Sequence, residues 1–79
     1  MPALDQLRVG QRACIEHLHG DDAVVQRLLE MGLLEGEELE VIGFAPLGDP
    51  LEVQLRDYRL CLRRREAARV TVRVLEPER

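Results

Sequence analysis

Apolar and polar positions follow two different periods along this chain, and the change of period is its clearest structural signal. Over residues 24–29, Val24, Val25, Leu28 and Leu29 recur at i, i+4 spacing, which places them on one face of a helix. Asp21 or Asp22 is positioned to cap that helix and to sit at the positive end of its dipole. The helix is expected to run to about Met31. Gly32 then falls where a left-handed C′ residue ends a helix, and Leu33 falls at C″, where it can fold back onto the last turn. Gly36 marks a second turn, after which Leu39-Glu40-Val41-Ile42 begins a mainly apolar strand.

Elsewhere the period is two. Leu4 and Leu7 are spaced to cover one end of a core. Ala13 and Ile15 alternate with Arg12, Cys14 and Glu16 as a strand with one buried face. Leu18 breaks that alternation, so a bulge or bend is expected between His17 and Gly20. Glu38 to Ala45 reads as the next strand, and Pro46-Leu47-Gly48-Asp49-Pro50 as a proline-fixed loop. Leu51, Val53 and Leu55 alternate with Glu52, Gln54 and Arg56. A tight connection at Asp57-Tyr58 leads into Leu60-Cys61-Leu62 and makes a hairpin. A helical turn over 64–68 and a strand carrying Val70, Val72 and Val74 complete the pattern, with a frayed tail over 76–79. Five short strands and one helix inserted after the first predict a mainly β fold, a small closed or half-open barrel of the SH3-like kind. Closure would protect edges that a short chain cannot otherwise cover.

Length and composition narrow the function classes. A chain of 79 residues has room for a single domain over 1–79 that buries only about 60% of its unfolded surface. At 33% charged and 46% apolar, it has too much leucine and valine for a disordered chain. Cys14 and Cys61 form no C-x-x-C pair, so reduced thiols in a cytoplasmic protein are expected. No signal peptide is evident, and no stretch approaches the ~20 apolar residues of a membrane span. The net charge of −4 is unevenly spread: residues 1–55 carry −8 and residues 56–79 carry +4. The basic segment could suit an acidic partner or a phosphate backbone. The chain has no lysine, however, so its arginines are weaker evidence for phosphate binding, and pairing with the acidic half is the plainer expectation.

Taken in order, several of these pieces resemble the FeoA family, the small companion of the bacterial ferrous iron transporter FeoB. They are Gly10 with Ala13-x-Ile15, Arg27-Leu28-x-x-Met31-Gly32-Leu33 with Gly36, the loop from Pro46 to Leu51, and Leu60-x-Leu62-Arg63 followed by Glu66-Ala67 and Val70-x-Val72. Glu35 stands where the family often has proline, and Asp49 where it often has a second glycine. Both are turn-level changes. The resemblance implies an SH3-like barrel that binds the transporter's cytosolic region and modulates ferrous iron uptake, without enzymatic activity or a cofactor. Because the same barrel occurs in metal-dependent repressors, a repressor-type domain is the first alternative. A small divalent-metal carrier is the second.

The residues themselves offer little chemistry. His17 and His19, two apart on a strand, share a face and are followed by Asp21 and Asp22. An iron or zinc site needs three or four convergent ligands, and these aspartates are better assigned as caps. No metal set is therefore assigned, and His17 and His19 stand as the only weak candidates. Cys14 and Cys61 read as small side chains filling barrel positions. The chain has no serine, no Gly-rich phosphate loop and no local nucleophile-base grouping, so no catalytic residue is assigned. Arg63-Arg64-Arg65 could bind an anion, but with Tyr58 and Phe44 the only aromatics the stacking platform of a nucleic-acid binder is missing. Neither nucleic-acid binding nor membrane insertion is expected. Partner contact is assigned to the apolar residues Met31, Leu33 and Leu34 and to the loop residues Leu47, Gly48, Asp49 and Pro50, since a proline-fixed loop loses little entropy when it docks.

Overall fold

The structure is a computed structural model that describes residues 2–75. After a 3-10 turn at Leu4–Gln6 come β1 (Arg12–Leu18), α1 (Ala23–Glu30), β2 (Glu38–Phe44), β3 (Leu51–Leu55), β4 (Tyr58–Leu62), α2 (Arg64–Ala67) and β5 (Val70–Val74). The strands form one antiparallel sheet in the order β4-β3-β2-β1-β5. The fold is the mainly β, SH3-like arrangement expected from the sequence. Its barrel stays open, because β4 and β5 end the sheet without pairing to each other. The tail over 76–79 lies outside the described residues.

The inner faces of the strands supply the core. Ala13, Ile15, Val41, Leu51, Val53, Leu62, Val70 and Val72 are fully buried, with Leu4, Leu28 and Leu33 closing the ends. In β3 the alternation is strict, with Leu51, Val53 and Leu55 buried between half-buried polar residues. In β1 the register against β5 shifts between Ile15 and His17. This bulge lies at Glu16, just before the expected segment. The extra residue moves Leu18 to the buried face on which Ala13 and Ile15 sit.

α1 begins and ends as its sequence dictates. The Asp22 carboxylate accepts from the backbone N–H of Val25, and of the two expected caps it is the one used. At the other end, the N–H of Gly32 donates to Leu29 O at 3.0 Å and that of Leu33 to Leu28 O at 3.1 Å. This pair of bonds is the Schellman motif, and Gly32 adopts φ +99° to make it.

Three expectations are corrected. The hairpin turn uses Arg56 and Asp57, because Tyr58 already pairs with Leu55. Val74 is 38% exposed, because it lies beyond the end of the core that the other two valines of β5 fill. Cys61 does not fill the barrel: it is exposed, while Leu62 beside it is buried. β4 keeps a strict period of two, so Cys61 shares the outer face with Arg59. Cys14 is buried, as a small side chain can be even on the outer phase of a central strand.

A buried carboxylate joins the two helices. Glu66 is 4% exposed, accepts from the Arg63 N–H at 2.8 Å and pairs with Arg27 at 2.8 Å. α1 is further tied to the start of β5 by Asp22 and Arg69, whose guanidinium donates two bonds of 2.8 and 3.0 Å to the carboxylate. Hydrogen bonding from Arg69, chiefly, together with the Val25 N–H, holds the Asp22 carboxyl below its ordinary pKa. Its contribution to stability is therefore complete above the unfolded-state value, about 3.9, and is lost as pH falls through the folded-state value. Asp22→Asn is expected to lower the thermal midpoint at pH 7. The gap to the parent should narrow as pH falls below the unfolded-state value and through the lower folded-state one, where the parent's carboxylate becomes neutral in its turn. A gap independent of pH would show that the charge contributes nothing.

Candidate functional site

Two exposed features coincide with the segments assigned to partner contact. The first is the loop between β2 and β3. The Gly48 N–H donates to Ala45 O at 2.7 Å, closing a turn with Pro46 and Leu47 at its corners. A corner side chain has nothing above it, and Leu47 is 97% exposed. The loop is nonetheless fixed. The Arg64 backbone N–H donates to the Asp49 carboxylate at 3.0 Å, and its Nε donates to Gly48 O at 2.9 Å. The Arg64 guanidinium also lies 5.4 Å from the centre of the Phe44 ring, within cation-π range. Gly48 and Asp49 thus hold the loop to α2 through Arg64, and Pro46, Leu47, Asp49 and Pro50 are its exposed residues.

The second feature is the end of α1. Leu29 is 38% and Leu34 46% exposed, and Met31 is half-buried. The Tyr58 hydroxyl donates to Met31 O at 3.1 Å, so the aromatic ring caps the helix end from β4. Leu33 is corrected here as a contact residue. It is fully buried, because the Schellman bond turns its side chain onto the last helical turn. The surface is left to Met31, Leu34 and the neighbouring Leu29.

His17 and His19 do share a face, with ring centroids 4.7 Å apart and the planes nearly perpendicular. Their partners are protein groups: His17 Nδ1 lies 3.3 Å from Glu35, and His19 Nε2 meets the Thr71 hydroxyl. Asp22 is turned away to Arg69. Among the described residues no three histidine, cysteine or acidic side chains converge as a metal would need. A surface groove of about 440 Å³ runs over β1, β2 and β3, but Arg12 and Arg56 in it are already paired with Glu38 and Glu37.

Arg64 and Tyr58 were not identifiable as site residues from sequence. In the sequence Arg64 is one member of an arginine run, and in the fold it straps a loop 16 residues away. Tyr58 lies at the expected turn in the sequence, and in the fold it reaches a carbonyl 27 residues away.

The open five-stranded sheet with its inserted helix defines a small SH3-like β module. The FeoA domain model matches residues 3–74, and the chain belongs to the FeoA family. A curated relative is the Fe(2+) transport protein A/Fe(2+) transporter FeoB fusion protein of Porphyromonas gingivalis, 36% identical over 72 residues. The match covers 91% of this chain but only 8% of that relative. The FeoA protein of Chlorobium tepidum superposes with a TM-score of 0.86 at 40% identity, over 98% of this chain and 73% of that one. FeoA of Stenotrophomonas maltophilia, a procaryotic SH3 domain protein solved in complex with zinc, superposes with a TM-score of 0.80 at 36% identity, over 92% and 91% of the two chains. The family is associated with ferrous iron transport, and in one relative the FeoA unit and the transporter are a single polypeptide.

Proposed function

We propose that this chain is a cytoplasmic, non-enzymatic accessory protein that binds the cytosolic region of a FeoB-type transporter and modulates Fe(II) uptake. The observation that carries this reading is the fusion in Porphyromonas gingivalis. Covalent linkage holds two units at a high effective concentration. A FeoA unit that is not covalently joined to a transporter obtains the same proximity from a docking surface. No helix among the described residues is long and apolar enough to cross a membrane.

The loop at Leu47 suits that task. Its backbone is already held by Arg64, so docking orders little that is not ordered beforehand. Burying one leucine contributes about 1.5–3 kcal/mol, or roughly tenfold to hundredfold in affinity. The test is a titration of the protein against the transporter's isolated GTPase region, with and without guanine nucleotide. Saturable binding that shifts with nucleotide is expected, and Leu47→Asp should weaken it about tenfold or more while leaving the thermal midpoint unchanged. Parent-like affinity in the variant would remove the loop from the contact. No binding to the region in either nucleotide state would remove the proposed partner surface.

A further inference from the structure

The two edges of the sheet are treated differently. β5 is covered by the lead-in segment: Ala3 bridges to Thr71, and the Val72 N–H donates to Pro2 O at 3.0 Å. β4 has no such cover among the described residues. The hairpin turn has two residues, so its closing pair Leu55↔Tyr58 exchanges hydrogen bonds, as do Val53↔Leu60 and Leu51↔Leu62. The N–H and C=O groups of Arg59 and Cys61 therefore point outward from the edge. The β3–β4 ladder also runs through five pairs without a bulge, whereas the β1–β5 and β2–β3 ladders are each interrupted. This edge is straight and unblocked, which suits strand addition.

Its side chains specify what could add. Arg12, Arg27, Arg56, Arg69 and Arg73 each meet a carboxylate. Arg59 and Arg63 are exposed on the outer face of β4 and its continuation, and among the described residues neither has a carboxylate at ion-pair distance. Between them Cys61 lies opposite Glu52 of β3. On the inner face Leu60 is only partly buried, although its pair Val53 is fully buried, so the edge of the core is left uncovered. A second copy of the chain does not fit. Two β4 strands paired antiparallel about Cys61 would set Arg59 opposite Arg63 twice, and like charges directly opposite are destabilising.

We infer that the β4 edge receives an extended segment of a partner protein as a sixth strand. Its two acidic residues, four positions apart, would face Arg59 and Arg63. An uncharged residue would lie opposite Cys61, and apolar residues between them would cover Leu60. The inference deepens the transporter reading by adding a second contact, but its chemistry can be tested without the transporter.

The probe is the blocked peptide acetyl-Gly-Glu-Val-Thr-Val-Glu-Gly-amide, followed by amide NMR on the whole chain. Expected are saturable shifts centred on β4, slowed solvent exchange at the Arg59 and Cys61 amides, and binding that weakens with salt. A peptide with lysine in place of both glutamates should bind at least about tenfold more weakly, and Arg59→Glu with Arg63→Glu should reverse that preference. No shifts at millimolar peptide, shifts centred elsewhere, or equal binding of the two peptides would overturn the inference. If the double variant binds the transporter region like the parent while Leu47→Asp does not, the transporter reading stands and the edge is not its contact. If the acidic peptide binds and the transporter region does not, the edge site stands and the partner is another protein.

Discussion

Gly32→Ala is expected to destabilise the protein by about 2–3 kcal/mol, through two separate effects at one atom. Gly32 has φ +99°, and a side chain in a left-handed conformation costs about 1–2 kcal/mol. An added Cβ would also fall inside the Tyr58 hydroxyl. The ring must then move away, and its hydrogen bond to Met31 O, about 1 kcal/mol net, is lost. For a domain of this size the sum corresponds to a fall in Tm of about 10–20 °C. The two effects separate in a Tyr58→Phe background. There the hydroxyl is gone, the nearest ring atom would lie 3.3 Å from the new Cβ, and the cost should fall towards the backbone contribution. A double-mutant cycle by urea denaturation reads the difference as a coupling energy. Strict additivity would mean that the tyrosine does not rest on the glycine.

The same corner divides what the sequence revealed from what it did not. The end of α1 was legible because every interaction that makes it is local: Gly32, Leu33 and the carbonyls they bond lie within five residues. The β3–β4 hairpin was legible for the same reason, and the bulge in β1 was recognisable because Leu18 falls out of phase. The site residues were less so. Arg64 meets Gly48, and Tyr58 meets Met31, only after the sheet has brought β4 and α2 against distant segments, and no periodicity encodes that. Glu66 is a related case. The closing of the fold buries it against Arg27, a residue 39 positions earlier in the chain. Cys61 misled in the other direction, since a small side chain between two leucines resembles core until strand phase is taken strictly.

Leu33 and Leu34 turn this distinction into opposite measurements. Both are leucines after a helix-ending glycine, and composition does not separate them. The 6→1 bond from the Leu33 N–H to Leu28 O turns Leu33 inward, fully buried, and the next peptide then leaves Leu34 46% exposed. Leu33→Ala should therefore cost about 3 kcal/mol, as lost transfer energy plus the cavity left among side chains that cannot fully collapse. That is a large share of the 5–15 kcal/mol typical of a folded domain. Leu34→Asp should change stability by no more than about 0.5 kcal/mol. If the end of α1 contributes to the transporter contact, the order reverses in a binding titration. Leu34→Asp then weakens association, whereas Leu33→Ala, held below its own unfolding transition, binds as the parent does. Urea midpoints and titrations on the two variants give four values. Equal stability of the two would contradict the helix-end packing, and parent-like binding by Leu34→Asp would confine the contact to the Leu47 loop and the β4 edge.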